Sequence, residues 1–105
     1  MSDILLVMTN LPDAASAQLL AQKIIESRLA ACVSQLSPCT STYRWQNAIE
    51  TASEIPLLIK TTRIAYPNLE ALILSSHPYE LPEIIAVPVS AGLPAYLNWV
   101  SGETT

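Results

Sequence analysis

The stretch from Ala30 to Thr62 constrains this chain more than any other. It holds two extended segments, AACVSQLSPCTSTYRW and AIETASEIPLLIKTT, on either side of Gln46-Asn47. Asparagine tolerates the positive φ that a tight hairpin turn requires, so the pattern predicts a β-hairpin turning there. Both arms run well beyond the usual strand of about six residues. Pro56 has no N–H to donate, so the second arm needs an edge position or a bulge at that point. A hairpin whose tip outruns its own sheet leaves backbone groups unpaired, and pairing with a second subunit satisfies them.

The flanking segments say what the hairpin belongs to. ILLVMTN reads as a buried strand ended by Asn10. Pro12-Asp13 then signals a helix start, with Asp13 as the cap. Ala17, Leu20, Ala21, Ile24 and Ile25 recur at helical spacing, while Gln18, Gln22, Lys23 and Glu26 point the other way. That is an amphipathic helix laid against a sheet. Beyond the hairpin, AYPNLEALILSS predicts a second helix, with Pro67 in its first turn and Leu69, Leu72 and Ile73 as its apolar face. The loop SSHPYELPEII, a strand EIIAVPVSAG and a short helix AYLNWVSG follow. The order β-α-β-β-α-β plus a C-terminal helix predicts an α+β, ferredoxin-like split βαβ sandwich. Its sheet is antiparallel and both main helices share one face. Residues 1–105 read as a single domain.

Composition extends the argument from fold to assembly. Half of the 105 residues are hydrophobic and only 13% are charged, against an ordinary charged share of about 25%. A domain this small has too little interior for that much apolar surface, so an oligomer is expected. The formal net charge is −4, and the five Lys and Arg residues, Lys23, Arg28, Arg44, Lys60 and Arg63, are scattered. Nothing here neutralises a run of phosphates, so no nucleic-acid partner is expected. The opening MSDILLVMTN has no basic n-region and only five consecutive apolar residues. Neither a signal peptide nor a membrane span is expected, and the cytoplasm is the predicted location. Cys32 and Cys39, seven apart on one extended segment, should face opposite sides of it and stay unbridged, as in a reducing compartment. Cys32, within LAACV, reads as a small buried residue, and Cys39 as a more exposed one.

The available chemistry is narrow. Gly92 and Gly102 are the only glycines, so neither a phosphate-binding loop nor a dinucleotide fingerprint exists, and no organic cofactor is expected. His77 is the only histidine. Ser75, Ser76, Glu80 and Glu83 lie near it in sequence without forming a triad motif, so no enzyme is predicted. One histidine and two cysteines make no closed metal site locally, although subunits can pool ligands at an interface. Met8 is an admissible thioether ligand for copper, or else ordinary core filler. Pro78 and Pro82 hold their neighbours extended, which makes the His77 loop a stiff connector first.

Four motifs then appear in order: LAACVSQLSPCTSTYRWQNAIE, EIPLLIKT (Glu54 to Thr61), HPYELPEIIAVPV and YLNWV. Together, from Leu5 to Val100, they resemble the CutA family of divalent-cation tolerance proteins. The resemblance implies a homotrimer of ferredoxin-like subunits, similar to PII-type signalling proteins. It also implies a cytoplasmic location and an association with copper tolerance and divalent-metal binding, without a catalytic reaction. The metal ligands proposed for some relatives fall here on Met8, Ser76 and His77, of which only His77 keeps the residue type. Cys32 matches a cysteine common in the family, and Asn47 stands where relatives carry a glycine. The resemblance therefore implies copper or another divalent cation, weakly bound, with His77, Met8 and Cys32 as candidate ligands. It also implies that Tyr43, Trp45, Lys60, Tyr79, Glu80 and Glu83 line a cleft or trimer interface, with Lys60 paired to Glu80 or Glu83 across subunits. The expected function is a non-enzymatic trimer of the divalent-metal response. The alternatives are a PII-like sensor that takes a small anionic ligand through Lys60, or a structural scaffold.

Overall fold

A computed structural model describes residues 3–105. Met1 and Ser2, which open the stretch assessed above for a signal peptide, lie outside the described residues. The elements are β1 (Ile4–Leu11), α1 (Ala14–Glu26), β2 (Cys32–Gln35), β3 (Cys39–Trp45), β4 (Ala48–Thr62), α2 (Tyr66–Ser76), β5 (Ile85–Pro88) and α3 (Pro94–Glu103). The sheet runs β2-β4-β1-β5, with β3 continuing beside β4, and every pairing is antiparallel. This is the α+β split βαβ arrangement that the sequence predicts.

Alternation along β1 and β4 sorts the sheet into two faces. Leu5, Val7 and Leu11 of β1 and Ile55, Leu57 and Ile59 of β4 join Ala17, Leu20 and Ile24 of α1 and Leu69 and Ile73 of α2 in one buried cluster. Ile25, expected on that apolar face, is 42% exposed. It follows Ile24 by about 100° around the helix, which carries it past the edge of the contact stripe. Asp13 caps α1 as expected, its Oδ1 accepting the Ser16 N–H at 2.7 Å. Pro67 sits in the first turn of α2, where its missing N–H breaks no bond. α3 lies against β1 and β4, and none of its residues belongs to the main cluster.

The hairpin turns as predicted. Gln46 and Asn47 take φ of 49° and 67°, the paired positive values of a two-residue turn that matches the strand twist. The first arm departs from expectation, because it is two strands rather than one. Gln35 pairs with Leu57 and Cys39 with Glu54, so three residues, Leu36 to Pro38, stand against Ile55 and Pro56. That is a bulge. The Leu36 N–H donates to the Pro56 carbonyl at 2.9 Å, so the side of Pro56 that lacks a donor faces the interruption. The bulge also corrects the expected placement of the cysteines. The extra residue reverses the alternation, and Cys32 and Cys39 lie opposite Lys60 and Glu54, hence on the same face. Six positions along β4 separate them by roughly 20 Å, and both thiols are free. The last strand is likewise shorter than expected, four residues ending at Pro88, although one further bond to β1 follows, from the Val89 N–H to the Ile4 carbonyl at 3.0 Å.

Candidate functional site

The sheet face turned away from α1 and α2 carries Leu6, Met8 and Asn10 from β1 and Leu58 and Lys60 from β4, with Cys32 and Ser34 from β2 beside them. Ile85 and Val87 of β5 extend it and are 48% and 42% exposed. The same face continues up the hairpin as Cys39, Ser41, Tyr43 and Trp45, paired with Glu54, Ala52, Glu50 and Ala48. The loop after α2 rises opposite the hairpin, and a groove of about 900 Å³ runs between them.

Five of the six residues expected in a cleft line this groove: Tyr43, Trp45, Tyr79, Glu80 and Glu83. Asn10, Glu50 and Glu54 join them, and these three the sequence reading missed. Their only sequence signal is parity, since even-numbered positions of β1 and β4 share this face; nothing local indicates that Asn10 meets Glu54 and Glu83. The Asn10 Nδ2 donates to Glu54 Oε1 at 3.4 Å and to Glu83 Oε1 at 3.2 Å. Glu54 is only 8% exposed and also accepts the Tyr79 hydroxyl. A buried carboxylate is thus held by neutral donors, which satisfies its hydrogen bonds without cancelling its charge. Burial pushes the Tyr79 phenol up to about 12, helped by the hydrogen bond to Glu54 and the charge of Glu54. The charged side chains lining the groove are Glu50, Glu54, Glu80 and Glu83, with no Lys or Arg among them.

Lys60, the sixth expected cleft residue, is not in the lining. Its Nζ donates to Ser34 Oγ at 3.0 Å and lies 4.0 Å from Cys32 Sγ, so within one chain it meets neither Glu80 nor Glu83. His77 caps the C-terminal end of α2. Its Nδ1 accepts the Tyr79 N–H at 3.2 Å and its Nε2 lies 2.7 Å from the Asn10 carbonyl. A carbonyl only accepts, so Nε2 carries the proton and both ring nitrogens are engaged. Ser76, the other position singled out beside it, is half-buried at the end of α2. Met8 is half-buried between Leu58 and Ile85. Cys32 lies two strands away from Met8 across the sheet, roughly 10 Å by strand spacing. The three candidate metal ligands do not share one coordination sphere in a single chain. Among the described residues, no three His, Cys, Asp or Glu side chains converge as a metal site would need.

Known proteins place this geometry in context. Residues 5–103 match the family described as CutA1 divalent ion tolerance protein. A protein of Thermus thermophilus, named divalent-cation tolerance protein CutA, is 40% identical over 98 residues, covering 93% of this chain and 95% of its own. The crystal structure of CutA from Xylella fastidiosa superposes with a TM-score of 0.96 at 47% identity, over 99% of this chain and all of that one. A structure from Archaeoglobus fulgidus, described as a periplasmic divalent cation tolerance protein, superposes at 0.92 with 28% identity over 95% of this chain and 97% of its own.

Proposed function

The chain belongs to the CutA1 divalent ion tolerance family, and from that premise we propose that it is a non-enzymatic, self-assembling CutA-like protein of the divalent-metal response that holds divalent cations weakly. The observation that carries the metal part is the charge of the groove: four glutamates and no Lys or Arg line it. Such a surface concentrates cations. The lack of three converging donors among the described residues supports weak binding within one chain, and tighter binding needs donors from more than one subunit. His77 joins a metal only by giving up the Tyr79 N–H or the Asn10 carbonyl. Engagement of both ring nitrogens by backbone also supports the absence of histidine-based catalysis.

Self-assembly is supported by the partly exposed apolar face, Met8, Leu58, Ile85 and Val87, and by the hairpin projecting beyond the helices. A homotrimer is the stoichiometry that the resemblance implies, and free Cys32 and Cys39 favour a reducing, cytoplasmic setting. A small anionic ligand draws no support from a groove that Lys60 does not reach. No helix among the described residues is long and apolar enough to cross a membrane. The test is calorimetric titration of copper and zinc into the purified protein, His77→Ala and Glu83→Gln, with the mass in solution measured on the same samples. Weak binding that survives in His77→Ala and falls in Glu83→Gln supports the groove. No heat from either metal, or loss only in His77→Ala, removes it, and a monomer removes the assembly.

A further inference from the structure

α3 is lightly anchored to the fold. Its ten residues bury one side chain, Val100, and none belongs to the main core cluster. A helix this short is marginal on its own. No side chain among the described residues caps its start, and its last turn carries no basic residue. What holds its end comes from elsewhere. Arg28, just past α1, has a φ of 56°, a left-handed conformation that glycine takes freely and a side chain strains. The end of α1 imposes it. The Arg28 N–H donates to the Ile25 carbonyl and the Leu29 N–H to the Ile24 carbonyl, the paired bonds of a helix end that usually carries glycine. The arginine side chain does what glycine could not. Its Nη2 donates to the Gly102 carbonyl at 3.3 Å, supplying the positive group that the C-terminal end of α3 lacks. The Arg28 carbonyl in turn accepts the N–H and the hydroxyl of Thr105, at 2.9 and 3.2 Å. Docking also carries a cost, since the Thr104 hydroxyl is buried without a hydrogen-bond partner among the described residues, and that favours release.

We propose that α3 is a detachable strap and that Arg28 is its latch. The strap opens as a unit and uncovers the parts of β1 and β4 that it lies against, while the sheet, α1 and α2 stay folded. Strain at Arg28 is what the turn gives up to carry the latch. The device stands apart from the metal reading, because no residue of the groove takes part in it. The test is hydrogen exchange, followed residue by residue on the full chain in its solution assembly, with Arg28→Gly, Arg28→Ala and Thr105→Val. Glycine suits the turn, so Arg28→Gly keeps the fold. In the wild type, α3 amides are expected to be less protected than those of α1, through an opening smaller than global unfolding. Arg28→Gly should lower α3 protection by roughly 2- to 10-fold and leave α1 as protected as before or more so, because the strain is relieved. Arg28→Ala keeps the strain and should loosen α3 alike without that gain. Thr105→Val should act in the same direction and less. Protection of α3 equal to that of α1, as when a second subunit clamps it, overturns the strap. Unchanged α3 protection in Arg28→Gly, or equal losses in α3 and α1, overturns the latch.

Discussion

β4 is one unbroken strand of 15 residues living in two environments. From Ile55 to Thr61 every second side chain is buried beneath the helices, whereas from Ala48 to Ser53 no side chain is buried. Backbone pairing is continuous through both halves, with β1 and β2 along the first and β3 along the second. The contrast separates two things that strand formation usually blends. Hydrogen bonding sets the shape of the whole strand, and burial anchors only half of it. The exposed half is therefore the part free to meet something else.

Substitutions at matched positions test this division. Leu57→Ala, in a fully buried site, should cost about 2–5 kcal/mol of unfolding free energy, measured by denaturant titration; a loss below about 0.5 kcal/mol would mean that the body is not anchored there. Thr9 pairs with Leu57 and is fully buried, and among the described residues its hydroxyl has no hydrogen-bond partner. Thr9→Val removes that unsatisfied oxygen without changing shape and should raise stability by about 1 kcal/mol.

Glu54 marks the junction of the two halves, and Tyr79 reports on it. The Tyr79 phenol is held protonated by burial, then by Glu54, up to about 12. Its contribution to stability is thus fully present below pH 10, the ordinary tyrosine value, and is lost as pH rises through about 12. Spectrophotometric titration should show a late phenolate that disappears in Tyr79→Phe. Tyr66 is also raised, first by burial and then by its hydrogen bond to Glu70, so the single substitution is what identifies Tyr79. If the late component remains in Tyr79→Phe, the junction does not hold the phenol as described. The smallest effect is expected at Ile49, 70% exposed on the arm. In dilute solution Ile49→Ala should change stability by no more than about 0.5 kcal/mol. A much larger loss that depends on protein concentration would show that a second subunit covers the arm.

How far the sequence could be read depended on the range of the interactions involved. Gln46-Asn47, Asp13 and Pro67 act through their own backbone, so the turn, the helix start and the first turn of α2 were legible, whereas the bulge expected in the second arm at Pro56 lies in the first arm, at Leu36–Pro38 opposite it. The face shared by Cys32 and Cys39 was not, because the residue that reverses the alternation is extra only relative to β4. Tyr43, Trp45, Tyr79, Glu80 and Glu83 were expected through their motifs at a cleft or trimer interface, and within one chain they line the same groove. Lys60 belongs to the same face but is two residues beyond Leu58, next to Ser34. Periodicity names the side of a sheet, not the distance along it. Asn10, 44 positions from Glu54 and 73 from Glu83, was silent because nothing near it in sequence announces its partners.

The bulge at Leu36–Pro38 works as an expansion joint. The register of β3 is fixed from above by the two-residue turn, and that of β2 from below by Val33 packing against the core. These two constraints are out of phase by one residue, and the joint absorbs the mismatch. Deleting Ser37 would set Leu36 and Pro38 against Pro56 and Ile55, close the bulge and leave both registers as they are, with Val33 still opposite Ile59. Lys60 would keep Cys32 and Ser34 beside it, and what the arm would lose is the local bend and added twist that an extra residue gives a strand.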